Sequence, residues 1–318
     1  MKKQFVNVLQ EGDVVNDHFV AVRKDLRTTQ SGSKFLGMVF RDKTGEIGGV
    51  LWNNAEAIAP RFEVGDVVNV RGTISTYQNR LQLRVDQVLP MKEGDFNQAD
   101  LVFVPDDAGE GTPAFIEVLR SIGDPWLKKL VDAFLADPVF MDKFARAAAG
   151  KRWHHAYPGG LAQHCYEMTR IADVMCELFP AIHRDLLLTG ILVHDLGKTE
   201  ELSQGLYIDY TTVGKLVGHL AIGLDMTNEK MRAIEGFPDQ LRMEIQHMIL
   251  SHHATLDQGS PTVPKTLEAM VLALIDDLDA QTDAFNRVIE ETRGKGQTWS
   301  EFLPIVERQI WAKRSGPS

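Results

Sequence analysis

A histidine and an aspartate stand side by side, as His194-Asp195, at the end of an apolar stretch of the sequence. Residues 186–193 are apolar enough to predict a buried helix, which Gly197 would end. A buried charged pair is costly unless something compensates it, and a divalent cation can do so. Because neighbouring residues on a helix lie about 100° apart, both side chains reach one ion only at a helix end, or the carboxylate bridges two ions.

Further histidines and an aspartate occupy comparable positions in other predicted helices. Glycines at 159 and 160 would open a helix that carries His164, and threonines at 211 and 212 would cap a helix that carries His219. A helix from about residue 239 would end on a histidine pair, and Asp276 follows the apolar residues 271–275. Side chains from facing helices build metal sites in bundles. The residues of the predicted site are His164, His194, Asp195, His219, His252, His253 and Asp276.

The mixture of imidazoles and carboxylates indicates which metals the site would take. It suits Mn²⁺, Fe²⁺, Co²⁺ or Zn²⁺ better than a Mg²⁺ site made of oxygens alone. Mn²⁺ is the ion that we expect. Two cysteines, Cys165 and Cys176, are not spaced as C-x-x-C, so they indicate neither a disulfide framework nor a cysteine zinc site.

The charge of the chain is unevenly distributed. The 318 residues carry a formal net charge of −10. Residues 1–90 contain 12 Lys and Arg against 10 Asp and Glu, a net of +2, and residues 91–318 contain 22 against 34, a net of −12. No run of about 18 uncharged apolar residues occurs, and the N-terminus lacks the apolar core of a signal peptide. We therefore expect a cytoplasmic protein with no membrane partner.

Residues 12–90 show short extended segments separated by turns. Runs at 14–24, 35–40 and 47–52 predict three strands, with a turn at 42–45 between the last two. Residues 53–59 can form one short helix, and alternating apolar residues at 68–74 and 81–85 predict two more strands. Three strands, a helix and two strands is the order of an OB-fold, a small Greek-key barrel that commonly holds single-stranded nucleic acid.

The texture of the sequence changes after the barrel. The predicted domains are a five-stranded OB-fold β-barrel at 1–90, a Gly- and Pro-containing linker at 91–113, and an all-α bundle at 114–318, where apolar residues recur with the helical period. The stretch at 299–311 is interpreted as an amphipathic helix that packs at the end of the bundle.

The order of the histidines and aspartates resembles that of the HD-domain metal-dependent phosphohydrolases, in its longer, dinuclear version. The chain as a whole, from about residue 12 to about residue 285, is similar to the YhaM family of 3′-to-5′ exoribonucleases, in which an OB-fold precedes an HD domain. The similarity is carried by HHAYPGGLAQH at 154–164, YTTVGKLVGH at 210–219, LSHH at 250–253 and IDDLDA at 275–280.

The resemblance implies that the seven residues bind two divalent ions and that Asp195 bridges them. Two such ions activate water and neutralise phosphate oxygens during in-line attack. Lys198, one turn beyond Asp195, is placed to contact a phosphate oxygen. His154 and His155 lie in the approach to the site and are candidates to protonate the departing ribose oxygen.

Two questions about the site stay open in the sequence. Neighbouring side chains point in different directions, so His252 and His253 need not both be ligands. Asp279 and Asp283 share the predicted helix face of Asp276, where they either support the ligands or form a solvated acidic edge.

The predicted barrel carries a candidate nucleic-acid surface. Trp52 and Tyr77 stand near turns, close to polar or basic residues, and are interpreted as platforms on which bases stack. The predicted binding residues are Trp52, Tyr77, Arg41, Arg71, Arg80 and Arg84. Each stacked base contributes about 1–3 kcal/mol. With a net charge of only +2, this surface is expected to be an accessory grip that salt weakens.

Three functions compete for this combination. The first is a metal-dependent phosphodiesterase that degrades single-stranded nucleic acid, by resemblance RNA from the 3′ end, with single-stranded DNA as the alternative substrate. The second is a phosphohydrolase of small or cyclic nucleotides with a regulatory barrel. The third, a non-catalytic nucleic-acid-binding protein, is disfavoured because none of the expected ligand positions is vacant. Apolar helix surfaces also raise the expectation of a homo-oligomer.

Overall fold

The computed structural model describes residues 2–102, 104, 110–151 and 153–313. The chain divides into two compact units, Met1–Pro105 together with Gly205–Tyr207, and Asp106–Gln204 together with Ile208–Ser318. The strands lie in the first unit and the long helices lie in the second. This arrangement confirms the predicted fold class, a five-stranded barrel followed by a helical domain.

The strands of the first unit are β1 (Val14–Thr28), β2 (Lys34–Asp42), β3 (Gly45–Leu51), β4 (Val67–Tyr77) and β5 (Arg80–Pro90). They close into a barrel in the order β1-β2-β3-β5-β4. Neighbouring strands are antiparallel except β3 and β5, which pair in parallel with Gly49 opposite Leu83. The short helix α1 (Ala55–Ile58) lies between β3 and β4, as the sequence predicts.

Two glycines allow the barrel to pack tightly. A Cβ atom on Gly49 would lie 2.6 Å from the ring of Phe40, which is fully buried in the barrel core. A Cβ atom on Gly72 would lie 2.2 Å from the carbonyl oxygen of Arg84, at the point where the β4–β5 register shifts. Any larger residue would displace backbone or core at these two positions.

The first unit continues past the end of β5, into residues predicted to be a linker. Leu101 is fully buried and packs with Val20, Val22 and Val67. The helix α2 (Gly111–Arg120) begins within the far end of the same predicted segment. Ordered structure therefore occupies both ends of the predicted linker at 91–113, because Leu101 finds an apolar cluster to join. Residues 103 and 105–109 of that linker lie outside the described part of the chain.

After α2, the second unit contains α3 (Pro125–Leu135), α4 (Pro138–Arg146), α5 (Gly160–Leu178), α6 (Arg184–Val193), α7 (Lys198–Glu201), α8 (Thr212–Val217), α9 (His219–Ala233), α10 (Asp239–Ser251) and α11 (Leu267–Gly294). α3 and α4 begin alike. The carboxylates of Asp124 and Asp137 accept hydrogen bonds from the first free backbone N–H groups, and a proline occupies the first helical position of each.

α6 is the central helix of this unit. Its residues 186–193 are all buried, and it packs against α3, α5, α10 and α11. The end of α6 therefore lies inside the unit. Cys165 and Cys176 are both free and lie on α5. Among the described residues, no helix combines the length and apolar character needed to span a membrane.

The C-terminal stretch differs from its prediction. Residues 299–311 form turns and two isolated antiparallel bridges, Trp299 with Trp311 and Leu303 with Arg308, and not the expected amphipathic helix. Pro304 disfavours helical backbone at the preceding residue. Trp299 and Trp311 are therefore about half exposed, and the apolar spacing here does not report a packed helical face.

Candidate active site

Helix ends bring the predicted ligands together. His194 is the C-terminal cap of α6 and Asp195 follows it, His252 caps α10, and His219 is the first residue of α9. A side chain at a helix end is free of the 100° rotation that separates neighbours inside a helix. His253 follows the cap of α10, and the last two residues, His164 on α5 and Asp276 on α11, project from within their helices.

The ligand atoms form two groups. His164, His194, Asp195 and Asp276 can share one ion, and His219, His252 and His253 can share another. Within each group, the candidate ligand atoms lie within 4.8 Å of one another. The structure thus brings all seven predicted residues to one place, and it includes both His252 and His253.

Asp195 faces both groups with different oxygens. Its Oδ2 lies 3.4 Å from Nε2 of His194, in the first group. Its Oδ1 lies 3.5 Å from Nε2 of His219 and 3.5 Å from Nε2 of His252, in the second. A carboxylate in this position would offer one oxygen to each of two ions, although Oδ2 also accepts from Lys198.

The path of the chain to His219 differs from the prediction. Thr211 does cap a helix, by accepting a hydrogen bond from the N–H of Gly214, but that helix is α8, which ends at Val217. Gly218 then adopts φ +77° and ψ 151°, backbone that favours glycine, and α9 starts afresh at His219. The break leaves the backbone N–H of His219 free to donate to Glu201.

The Nδ1 atoms of four imidazoles are fixed by hydrogen bonds. Nδ1 of His194 lies 2.8 Å from the carbonyl oxygen of Ile191, and Nδ1 of His252 lies 2.9 Å from that of Ile249. The other two rings use carboxylates: His164 Nδ1 lies 2.6 Å from Asp279 Oδ2, and His219 Nδ1 lies 3.0 Å from Glu201 Oε1. Because carbonyl and carboxylate oxygens only accept, these Nδ1 atoms carry the proton and each Nε2 presents its lone pair to the cluster.

Several buried atoms of the cluster suit a cation. Within the described residues, Nε2 of His164, His194 and His252 and Oδ1 of Asp195 are buried without a hydrogen-bond partner. Buried polar atoms are rarely left unsatisfied. Lone pairs that converge with no hydrogen-bond donor between them suit a divalent cation. These residues therefore fit a metal-binding role.

The charges of the cluster favour added positive charge. Burial opposes ionisation of the Asp195 carboxyl, but the ammonium of Lys198 and the ring of His194 outweigh it and hold the pKa of Asp195 well below its usual range. Burial alone would lower the pKa of His164, but the carboxylates of Asp276, 3.2 Å from its Nε2, and Asp279, 2.6 Å from its Nδ1, raise it to about 10. These carboxylates attract a proton where a metal ion would bind.

The two histidines predicted to donate a proton occupy different environments. The ring of His155 is engaged at both nitrogens, with Nε2 2.9 Å from Asp279 Oδ2 and Nδ1 3.1 Å from the hydroxyl of Tyr157. Both ring nitrogens of His154 are buried without a hydrogen-bond partner among the described residues, and its ring centroid lies 5.3 Å from that of His164. Burial, followed by repulsion from Lys198, lowers the pKa of His154 well below its usual value.

The motif around these histidines has a backbone explanation. His155 adopts a left-handed φ of +40°, and Gly159, at φ +86°, caps α5. A Cβ atom on Gly160 would lie 2.0 Å from the carbonyl oxygen of His155. The glycine pair therefore lets the loop fold back on the start of α5, where Asp283 Oδ2 accepts the backbone N–H of His155.

Lys198, predicted to contact a phosphate oxygen, pairs with the shared carboxylate in the structure. Its Nζ is 2.5 Å from Oδ2 of Asp195, and 12% of its side chain is exposed. Burial lowers the pKa of Lys198, but the attraction of Asp195 outweighs this and raises it, so the ammonium stays charged. Lys198 thus acts on the shared carboxylate directly.

Sequence reasoning left two carboxylates short of a role. The sequence allows Asp279 and Asp283 either to support the ligands or to form a solvated edge, and in the structure both bond to histidines of the site. Glu201 was missed altogether. Its signal is weak, since it is one of two adjacent glutamates in a short helix, and only its buried position and its hydrogen bonds to His219 reveal it.

The barrel carries a groove of about 500 Å³ on its outer surface. Trp52, Tyr77 and Arg84 line it, and the side chains of Trp52 and Tyr77 are exposed. The ring of Phe35 lies 4.9 Å from that of Trp52, so the two form a continuous aromatic wall. Phe40, by contrast, is fully buried in the core.

The predicted arginines do not all reach the groove. Arg41, Arg71 and Arg80 are absent from its lining, and Arg41 pairs with Glu46. Arg23 and Arg27 line the groove instead, each bonded to the carboxylate of Asp25. The predicted first strand ends at residue 24, whereas β1 continues to Thr28. Arg27 lies in this continuation, and Arg23 lies just before it.

Comparison with protein families defines the class of each unit. The HD domain matches residues 161–281, and an OB-fold nucleic acid binding domain matches residues 20–91. The chain therefore combines an OB-fold with an HD domain. The HD match and the His and Asp groups indicate divalent metal binding, and the OB-fold match indicates nucleic-acid binding.

Curated relatives match the chain over nearly its whole length. The 3′-5′ exoribonuclease YhaM of Geobacillus sp. (strain WCH70) is 32% identical over 300 residues, which cover 91% of this chain and 91% of the relative. The protein of the same name from Bacillus pumilus (strain SAFR-032) is 30% identical over 304 residues, covering 94% and 95%. That from Shouchella clausii (strain KSM-K16) is 32% identical over 310 residues, covering 94% and 93%. The chain belongs to the YhaM family.

Proposed function

We propose that this protein is a metal-dependent 3′-to-5′ exoribonuclease, which hydrolyses single-stranded RNA in the helical unit and holds the strand with the barrel. The observation that carries the proposal is the position of Asp195, which turns one oxygen to each of two groups of ligand atoms. Family membership supports the direction of digestion and the choice of RNA.

The two groups would hold two divalent ions, Mn²⁺ by preference. One ion would be held by His164, His194, Asp195 and Asp276, and the other by Asp195, His219, His252 and His253. Bound divalent ions lower the pKa of water and neutralise charge on phosphate oxygens. The fixed Nδ1 protons keep each of four rings ready to bind through Nε2 without reorienting.

The neighbouring residues have separate tasks. Lys198 keeps the Asp195 carboxylate ionised and adds a positive charge beside the phosphate. His155 holds Asp279 and has no free ring nitrogen, so it is not available to the leaving group. Both ring nitrogens of His154 lack a hydrogen-bond partner among the described residues, and its lowered pKa favours the neutral ring, so it would donate a hydrogen bond to the departing ribose oxygen.

The barrel groove would hold the strand. Trp52 and Tyr77 offer exposed ring faces to bases, and Arg84 offers a cation to the backbone. Stacking of this kind accepts any base, which suits an enzyme that must proceed through different sequences.

Digestion of a 5′-labelled RNA oligomer tests the proposal. With Mn²⁺, an oligomer with a free 3′ end should shorten progressively, an oligomer with a blocked 3′ end should persist, and EDTA should stop the reaction. DNA of the same sequence and mononucleotides serve as competing substrates. Cleavage inside the blocked oligomer, or hydrolysis of mononucleotides alone, would overturn the exoribonuclease assignment. Absence of hydrolysis with Mn²⁺ present would favour the non-catalytic alternative.

A further inference from the structure

Two carboxylates bond to the Nδ1 atoms of ligand histidines, one for each group. Asp279 Oδ2 accepts from His164 Nδ1 at 2.6 Å, and Glu201 Oε1 accepts from His219 Nδ1 at 3.0 Å. The corresponding rings of His194 and His252 are held by backbone carbonyls instead. Each group thus contains one ring fixed by its own helix and one ring fixed by a distant carboxylate.

The two types of support differ in what they fix. A carbonyl three residues back in the same helix holds a ring wherever the helix goes, as Ile191 does for His194. A carboxylate from another segment ties two elements together. Asp279 connects α11 to α5, and Glu201 connects α7 to the start of α9, where it also accepts the backbone N–H of His219 at 3.0 Å.

Asp279 is itself held in place. It is 5% exposed, and the same Oδ2 that accepts from His164 also accepts from His155 Nε2 at 2.9 Å. His155 is fixed in turn by its left-handed backbone and by Asp283, one turn further along α11. The loop that carries His155 therefore helps to orient the carboxylate of Asp279 towards His164.

We propose that Asp279 and Glu201 are positioning residues for the two metal ions, each of which fixes one imidazole with Nε2 towards its ion and raises the basicity of that nitrogen. This inference rests on the metal centre of the proposed function. Asp279 serves the group of His164 and Asp276, and Glu201 serves the group of His252 and His253. Loss of either carboxylate weakens the binding of one ion and leaves the binding of the other unchanged.

The test is calorimetric titration of the full chain with Mn²⁺, which requires no substrate. Asp279→Asn and Glu201→Gln should each weaken one of two Mn²⁺ binding events by about 10- to 100-fold, the usual cost of removing such a partner. Asp277→Asn, an exposed substitution on the same helix, should leave both events unchanged. Circular dichroism and melting of the metal-free variants verify that they fold.

A double substitution separates positioning from general support of the fold. If Asp279 acts through His164, the Asp279→Asn change should cost no further Mn²⁺ affinity in a chain that already carries His164→Ala. Additive losses, or an Asp279→Asn chain that binds two equivalents with unchanged affinity, would overturn the inference. A wild-type chain that binds no Mn²⁺ would instead refute the metal centre and with it the proposed function.

Discussion

The two units of this protein place their candidate functional residues in opposite locations. In the barrel, Trp52 and Tyr77 lie on the surface, outside the hydrophobic core cluster. In the helical unit, His164, His194 and His252 are buried in the interior, beside the apolar residues of α6. Changes to the barrel groove are therefore separable from the barrel core, whereas the site of the helical unit is part of its core.

Replacement of the shared carboxylate should have the largest effect. Asp195→Ala removes a ligand oxygen from the first group and the oxygen that faces the second, and it leaves Lys198 buried without this partner. Hydrolysis of RNA should fall by more than about 100-fold, the upper cost of losing a group that only supports a ligand. Gel-shift assays should show strand binding by the barrel unchanged, and Asp277→Ala provides the matched control. Loss of strand binding together with turnover would mean that the units do not divide the work as described.

Packing of the barrel core is tested by two adjacent glycines. Gly49→Ala places a methyl group against Phe40 and should destabilise the barrel by about 1–3 kcal/mol, the usual cost of overpacking. A Cβ atom on Gly48 meets nothing within 4 Å, so Gly48→Ala should show no such loss. Hydrogen exchange in β2 and β3 measures the difference. Equal effects of the two changes would show that the barrel interior is not as tightly packed as its geometry indicates.

Removal of an exposed ring should affect binding alone. Trp52→Ala should weaken binding of single-stranded RNA by about 1–3 kcal/mol, or about 5- to 150-fold, because one stacked base is lost. Trp299→Ala removes a tryptophan of similar exposure from the helical unit, outside the groove, and serves as the control. Fluorescence anisotropy with a labelled oligomer measures both. An equal loss in the two variants would contradict the assignment of the groove.

The smallest expected effect distinguishes two arginines on β5. Arg84 lines the groove and Arg80 does not. Arg84→Ala should reduce the slope of log affinity against log salt concentration by about 0.7, the value for one phosphate contact on a single strand. Arg80→Ala should leave the slope unchanged. A change in the slope for Arg80→Ala would show that Arg80 contacts the strand as the sequence predicts.

The comparison also explains what the sequence could predict. Strand alternation and turns identify the barrel because one face of each strand must be apolar, and histidine and aspartate at the ends of apolar helices identify the ligand groups because such residues need compensation. The groove was only half predicted. Arg23 and Arg27 were missed, because surface residues on a strand follow no rule that separates a binding face from an ordinary solvated one.

The supporting residues were the least predictable part of the site. Glu201 and Asp279 have the same local sequence character as the solvated acids of other helices, and their roles depend on which distant histidine they meet. The break before His219 is set by the backbone of Gly218, whose φ of +77° the sequence permits but does not require. Spacing thus predicts which residues converge on the candidate metal site, and only the tertiary structure shows which residues orient them.

The position of α11 has a consequence for the synthesis of this protein. Asp276 and Asp279 both lie on α11, the last helix of the described chain, whereas His164 lies on α5. A nascent polypeptide whose translation has stopped before residue 267 carries all ten histidines but neither of these carboxylates. Such a product lacks part of the candidate site, so an enzyme of this design can complete the site only after the ribosome has translated α11.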